Sequence, residues 1–425
     1  MPAIQKGFAK ATLNIGDRDR AMPANITMRD LNFLNPKNKL WHYKYALYSA
    51  GQFGIGEQET DIITNRSIDN TTILGDSGGF QIGKGTLSGF NALNGLRSAN
   101  DVCDAWTDAV DFKQWILDWL ETNSDYAMTI DMPLWSKFKE NKNTPFHKCS
   151  TEQLINLTVE NLHFIQNNKR GNTKWLNVVQ GTTYDDTKLW WDAVKEFKFS
   201  GWSLAGNAGY NGGVAAMIKQ VLIMRDEDAF EQGMDWLHVL GVSQLKWAVL
   251  LTAIQRGLRD YCNPNIQVSF DSASPSLISG RYEQIVQIPK LTNKDSSWTF
   301  SMDDCPIDKK YVIGNKKYPF PYSSPIADLL EMHHINANYE KDKGVTLDST
   351  SHHLLTNHNT WVYVNAMIEA NELAFGNTAN KNEFVPSKIL DCINVFEEML
   401  TTKNWVPIWK NNIDLFDSIK KMKES

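Results

Sequence analysis

Cysteine is scarce in this sequence: five in 425 residues, at positions 103, 149, 262, 305 and 392. An odd, scattered set gives no disulfide framework, so a reducing cytoplasm is the expected location. Long apolar runs are missing too. None approaches the ~18 residues of a membrane span, and Met1 to Lys10 lacks the apolar stretch of a signal peptide. Nor is there an excess of positive charge, because 43 Lys and Arg stand against 49 Asp and Glu, a net −6. That excludes a protein that binds nucleic acid with its whole surface, while leaving room for a local basic groove. No Gly-x-Gly-x-x-Gly follows the first strand, which weighs against a dinucleotide-binding domain.

What is present is a chain that is 42% hydrophobic with 15 Trp, enough for a large core in one α/β domain or two smaller ones. The first 40 residues read as a polar, Asn-rich irregular arm, and Glu57 to Arg66 as a short helix. Strands are expected at 42–49, 71–74, 126–130, 175–179, 200–204, 236–240 and 266–270. Helical spacing lies between them at 105–121, 151–166, 186–197, 213–225 and 244–261. Strand, helix, strand at this rhythm means parallel βα units. Six or seven units before residue 275 favour a TIM-type (β/α)8 barrel over a doubly wound sheet. The whole chain is then one barrel domain. An insertion at 277–358 opens with a Lys-, Asp-, Pro- and aromatic-rich stretch (277–343), and C-terminal helices follow at 359–425.

The most informative stretch is Ile73-Leu74-Gly75-Asp76-Ser77-Gly78-Gly79-Phe80-Gln81. A β-branched strand ends on a carboxylate and two glycines, a backbone that a flat ligand can approach closely. Asp76 could equally cap the next helix. Gly78 to Lys84 also resembles a phosphate-binding loop, but Gly85 stands where the magnesium-ligating Ser or Thr should be, so a P-loop nucleoside triphosphatase is set aside.

Barrel enzymes carry their chemistry at the C-terminal ends of the strands. Here those ends read Asp76, Asp131, Gln180, Gly206, Gly241 and Asp271. Each has a plain alternative as a turn or cap, but six together point to one site. Three carboxylates and an amide suit glycosidic exchange on a purine. One carboxylate attacks the anomeric carbon, a second moves the proton, and a third with the amide reads the base edge.

Asp76-Ser77-Gly78-Gly79-Phe80-Gln81 resembles the signature of the queuine/archaeosine tRNA-guanine transglycosylases. The similarity continues in order through Ile130-Asp131, Val179-Gln180-Gly181, Leu204-Ala205-Gly206, Leu240-Gly241-Val242 and Phe270-Asp271-Ser272-Ala273, and touches Leu354 to Asn359. It implies Asp271 as nucleophile and Asp76 as general acid/base. It also implies Asp131, Gln180 and the Gly206 and Gly241 backbone around the base, with Phe80 and Leu240 against its faces.

Departures from that family are informative. Its Cys-x-Cys-x-x-Cys…His zinc site would fall here on Asp303, Cys305, Asp308 and His358, with two thiols replaced by carboxylates, an unusual zinc set. No cofactor is otherwise required. The tRNA-engaging Pro-Thr-Arg element is replaced by Ser274-Pro275-Ser276, and the sequence does not extend into archaeal RNA-binding domains. The group resembled most is therefore the DNA-guanine transglycosylases of phages and bacterial islands. They exchange guanine in DNA for a 7-deazaguanine such as 7-cyano-7-deazaguanine and mask restriction sites. A tRNA enzyme and a catalytically silent binding subunit are the alternatives. The implied partners are DNA and the free base, with no membrane and a homodimer left open; a phage-encoded copy would act in the host cytoplasm. Arg281, Lys309, Lys310, Lys316 and Lys317, interleaved with tyrosines, are the candidate backbone contacts.

Overall fold

The computed structural model describes the chain except residues 14–21, 24, 58, 59, 97, 313–315, 338–346, 378 and 423–425. The principal strands are β1 (Tyr45–Ser49), β2 (Thr72–Asp76), β3 (Tyr126–Met128), β4 (Lys174–Val179), β5 (Gly201–Leu204), β6 (Trp236–Val239) and β7 (Gln267–Phe270). They form one parallel sheet in sequential order, curled into a half-barrel. Helices α1 (Lys6–Leu13), α2 (Gly79–Lys84), α3 (Ala99–Thr107), α4 (Val110–Asn123), α5 (Thr151–Asn168), α6 (Tyr184–Val194), α7 (Gly213–Asp226) and α8 (Leu245–Tyr261) precede or join them. Beyond β7 come α9 (Ser274–Arg281), a separate antiparallel pair β8 (Gln284–Val286) and β9 (Met302–Asp304), and α10 (Met332–Ile335). The long α11 (Ser349–Phe375), α12 (Lys381–Phe384), α13 (Ser387–Leu400), α14 (Trp405–Asn411) and α15 (Ile413–Lys420) complete the fold.

Strands that are apolar on both faces build this sheet, as crossover parallel strands require. Leu47, Leu74, Met128, Leu176, Val178 and Trp236 pack together on its concave side. The other face meets the helices, with Trp175, Trp190 and Trp202 almost fully buried there. Helix starts are marked by side-chain caps: Ser98 for α3, Ser150 with Gln153 in a capping box for α5, and Thr183 for α6.

The N-terminal arm departs from the irregular reading, although its residues 14–21 lie outside the described residues. Residues 1–4 lie between the two edges of the sheet. Ala3 N donates to Ser272 O (2.9 Å) and Ser272 N to Met1 O (3.0 Å), while Ile4 N donates to Leu47 O and Leu47 N to Pro2 O (both 2.9 Å). Four residues carry too little periodicity to announce a strand, and only the two open edges define one.

Three more expectations change. The 105–121 helix is two helices parted at Asp108-Ala109, because apolar spacing runs through the break and hides it. No helix forms within the described part of 57–66. Buried Asp61 instead accepts from Ile63 N (2.8 Å), Thr64 N (2.9 Å) and Tyr48 OH (2.7 Å), folding the backbone into a turn. The helix read from residue 360 begins at Ser349, capped by Asp348, and its polar first half is buried: Asn357, His358 and Asn359 have no exposed surface. The 277–358 insertion shares one apolar cluster with the arm, in which Cys305 and Phe320 meet Ile4, Phe8, Phe33 and Leu354.

The bridge at residues 1–4 can be weighed directly. Ile4→Pro removes the N–H that Leu47 accepts and a side chain only 3% exposed. The expected loss is roughly 3–5 kcal/mol, from a buried aliphatic group and one hydrogen bond. It should appear as a lower denaturant midpoint at constant slope. A loss below about 1 kcal/mol would mean that the sheet does not need this bridge.

Candidate active site

Consecutive parallel strands place their ends side by side, so the expected residues converge. Asp76 is the last residue of β2 and pairs in register with Ser49 of β1. Its carboxylate accepts from the Ser49 hydroxyl and from Gly78 N–H. Gly78 has φ of +89°, and its Cβ position would lie 2.8 Å from Gly51 Cα, so only glycine fits this turn. Burial pushes Asp76 above the usual carboxylate range, the two hydrogen bonds hold it back, and the charge of Asp271 adds to the rise.

Asp131 follows β3 and is held by its neighbour. Gln180 donates from Nε2 to Asp131 Oδ2 (2.7 Å) and to Met132 O (2.8 Å), and its Oε1 accepts from Leu134 N (3.2 Å). Both amide hydrogens of Gln180 are therefore engaged and the residue is buried, so here it orients Asp131 instead of offering a free amide to a ligand. The other oxygen, Oδ1, lies 3.5 Å from where a Gly79 Cβ would stand. Burial, then the charge of Asp76, raises the Asp131 carboxyl to about 7.

Asp271 is treated differently. Burial alone would raise its pKa, but donors outweigh it: His238 Nε2 at 3.2 Å and Gly241 N at 2.9 Å, both on Oδ1. The net direction is downward, toward a carboxylate that stays ionised. Gly241 has φ of +74°, a conformation suited to glycine, and this turns its N–H onto Asp271. Gly206, at φ +54°, packs so closely on the β4 loop that a Cβ would lie 2.4 Å from Gly181 O.

Leu240 is half-buried beside the concave cluster. Phe80 is 61% exposed, with one face on Trp135 (centroids 5.6 Å apart) and Lys84 Nζ 5.8 Å from its ring. Three contributors escaped the sequence reading: Ser49, Trp135 and His238. Only His238 carried a signal, since it stands two residues before Leu240 and so shares its face of β6.

The zinc-type set does not assemble, and among the described residues no group of three metal-ligating side chains gathers. His358 is fully buried with both nitrogens engaged, Nδ1 by Ser324 Oγ (2.9 Å) and Nε2 by Val286 O (3.0 Å). Asp303 accepts from Tyr322 OH (2.8 Å) and Gln287 Nε2 (2.5 Å), and Asp308 caps Lys310 N (2.9 Å). Burial pushes the Cys305 thiol up to about 12, so it stays protonated in this environment. These residues do not fit a zinc ion in this arrangement.

The cationic candidates are all exposed. Arg281 lies over the Tyr282 ring (5.6 Å), Lys310 pairs with Asp308 (3.4 Å) and Lys317 with Glu331 (3.6 Å). Tyr282 also lines a cavity of about 330 Å³ with Tyr210, Ser243 and Ser274, from the loops after β5, β6 and β7. A cavity of about 620 Å³ lies elsewhere, between β7, residues 1–2 and α11, and none of the six strand-end residues lines it. Ionisable groups with opposed shifts, not cavity size, mark the site.

The carboxyl of Asp131 offers a measurement. Unfolded, it titrates near its ordinary 3.8; folded, near 7. Between those values only the folded chain keeps the proton, because folding raises its affinity for it. Stability therefore falls as pH rises through that window and levels above it. Carbon-detected NMR should place the Asp131 midpoint near 7. Asp131→Asn should gain stability over wild type progressively from pH 4 to 7, as judged by denaturant unfolding. A midpoint near 4 would overturn this account.

Compared with models of known protein families and with curated proteins, the chain matches none, so the functional reading rests on its own residues.

Proposed function

We propose that this chain is a guanine transglycosylase that exchanges guanine in DNA for a free 7-deazaguanine base such as 7-cyano-7-deazaguanine. The observation that carries the reading is the split among three neighbouring carboxylates. Asp271 is held low by two donors, while Asp76 and Asp131 are pushed up. A nucleophile must be ionised and an acid must hold its proton, so environments that drive pKa values apart assign the roles.

In this reading an oxygen of Asp271 attacks C1′ as the bond from C1′ to guanine N9 breaks, and Asp76 gives its proton to the departing base. The incoming base then loses its N9 proton to the Asp76 carboxylate. Its nitrogen attacks C1′ and the Asp271 carboxylate leaves. Asp131, once ionised, accepts from the N–H donors of the guanine edge, with Gln180 fixing its orientation. The Gly206 and Gly241 backbones allow close approach, and the open face of Phe80 and the Leu240 side chain take the two faces of the ring. Residues 1–4 serve as the strand that completes a (β/α)8 barrel.

DNA is favoured over tRNA by Ser274-Pro275-Ser276, which open α9 where the RNA enzymes engage tRNA. Reaching C1′ of a paired nucleotide requires drawing it from the stack, at a cost of a few kcal/mol. Arg281, Lys309 and Lys316 are the exposed cations assigned here to hold the backbone meanwhile.

The experiment supplies labelled guanine or 7-cyano-7-deazaguanine with either duplex DNA or unmodified tRNA and counts label in each polymer. Incorporation into DNA is expected, weakened by salt and by neutralising Lys309 and Lys316. Stalled reactions should leave a protein–DNA adduct that survives denaturing electrophoresis. Asp271→Ala should lose both adduct and exchange. Asp76→Asn should slow transfer by ~10²–10⁴-fold, the usual contribution of positioned proton transfer. Label in tRNA alone would move the enzyme to RNA; label in neither, or full activity in Asp271→Ala, would end the proposal.

A further inference from the structure

The wiring behind Asp271 has a donor at one end, the Trp236 indole, and an acceptor at the other, the Asp271 carboxylate, which together set its direction. The indole N–H of Trp236 can only donate, and it lies 2.7 Å from Ser269 Oγ. Ser269 Oγ thus accepts there and is free to turn its own hydrogen to His238 Nδ1, 2.8 Å away. An imidazole that accepts at Nδ1 carries its proton on Nε2, and Nε2 faces Asp271 Oδ1 at 3.2 Å. Strand register explains the alignment, since His238 of β6 pairs with Ser269 of β7 and Asp271 is two residues further along the same face.

We propose that His238, locked in one tautomer by Ser269 and Trp236, is the positioning residue that presents a single oxygen of Asp271 for attack. Oδ1 is held from two directions, by Gly241 N–H and His238 Nε2–H. Oδ2 receives no hydrogen bond from the described residues and keeps its lone pairs. Oδ2 is therefore the oxygen that bonds to C1′. When that bond breaks in the second half of the reaction, its electron pair returns to a carboxylate whose charge the two Oδ1 donors already stabilise. The inference rests on the reading of Asp271 as nucleophile, and it adds which atom reacts and what holds it.

The charged groups facing His238 are Asp271 from β7 and the amino group of Met1, which donates to Phe270 O. Full burial of the ring lowers its affinity for a second proton, although Asp271 opposes this. A neutral ring suits the relay, because a proton on Nδ1 would compete with the Ser269 hydrogen.

Two measurements separate this wiring from the catalytic reading. Nitrogen-15 NMR of the histidine rings reports the tautomer without any reaction: His238 should be protonated on Nε2 in wild type and become a mixture in Ser269→Ala. Single-turnover adduct formation on DNA reports positioning. His238→Phe keeps the volume but loses the donor, and should form adduct roughly ten- to a hundredfold more slowly, the usual cost of an unmade buried hydrogen bond. The apparent affinity for DNA should be unchanged. His238→Gln, whose amide nitrogen replaces Nε2–H, should recover most of the rate, and Ser269→Ala should fall between. Without the donor, Asp271 takes up a proton more readily, so the acid limb of the rate profile should move to higher pH in His238→Phe. An Nδ1-protonated ring in wild type would overturn the proposal. So would a Gln variant as slow as Phe while both fold, or covalent labelling of Ser269 by a fluorophosphonate, which would make its hydroxyl the nucleophile. If wild type forms no adduct with any polymer, the transglycosylase reading and the role of Oδ2 fall together. The tautomer result still decides whether the relay exists.

Discussion

Three carboxylates lie at neighbouring strand ends, and burial together with their mutual repulsion disfavours ionising all of them at once. In a medium of low polarity each charge raises the cost of the next, so the site must distribute its negative charge unequally. Much of the local structure serves that distribution. Gly241 and His238 give Asp271 the donors that keep its charge. Asp76 receives only Ser49 and the Gly78 N–H, too little to offset burial. Asp131 has one side-chain donor in Gln180 and feels the charge of Asp76, so its proton is bound near neutrality. Carboxylates with such different environments are not interchangeable, and chemistry that needs an acid and a nucleophile together becomes accessible.

The parallel sheet makes this gathering geometrically cheap. Strands in sequential order bring residues 76, 131, 180, 206, 241 and 271 to adjacent ends of one sheet. What the seven strands do not supply is a tie between their two open edges. Residues 1–4 bond to Leu47 on one edge and Ser272 on the other. Ser272 is the residue after Asp271, so the bridge that ties the sheet edges also fixes the backbone carrying the lowest carboxylate.

Legibility followed from how each element is encoded. Most of these strands read as apolar runs ending in Asp, Gln or Gly, so all seven strands and six of their ends were visible without coordinates, while Ser49 at the end of β1 was not. Features defined by a partner distant in sequence were not. The strand-like pairing of residues 1–4 exists only because two edges lie nearby, and the turn at Asp61 is set by its own carboxylate, not by periodicity. His238 looked like one more strand residue, because a buried imidazole has meaning only opposite Ser269 and Asp271. Gln180 was read as part of the site, yet its amide faces inward to Asp131, a distinction that residue type cannot express. The first half of α11 was missed because its buried face is mostly Ser, Thr, His and Asn, with only Leu354 and Leu355 apolar, too few to show helical spacing.

The insertion shows the same dependence on context. The insertion, which keeps only Cys305 of the expected thiols, is ordered by burial and hydrogen bonds. Asp303 joins Gln287 and Tyr322, while His358 joins Ser324 to the β8 backbone at Val286, so groups that could ligate an ion act as crosslinks. Beneath them, Ile285, Cys305, Phe320 and Leu330 enter the cluster that contains Ile4, Phe8 and Phe33 of the arm. A buried side chain of this size contributes roughly 1.5–3 kcal/mol by leaving water, so several together can replace what a structural metal would provide. The consequence is mechanical. Because Ile4 belongs both to that cluster and to the bridge at Leu47, the insertion, the arm and the β1 edge of the sheet are anchored through one core.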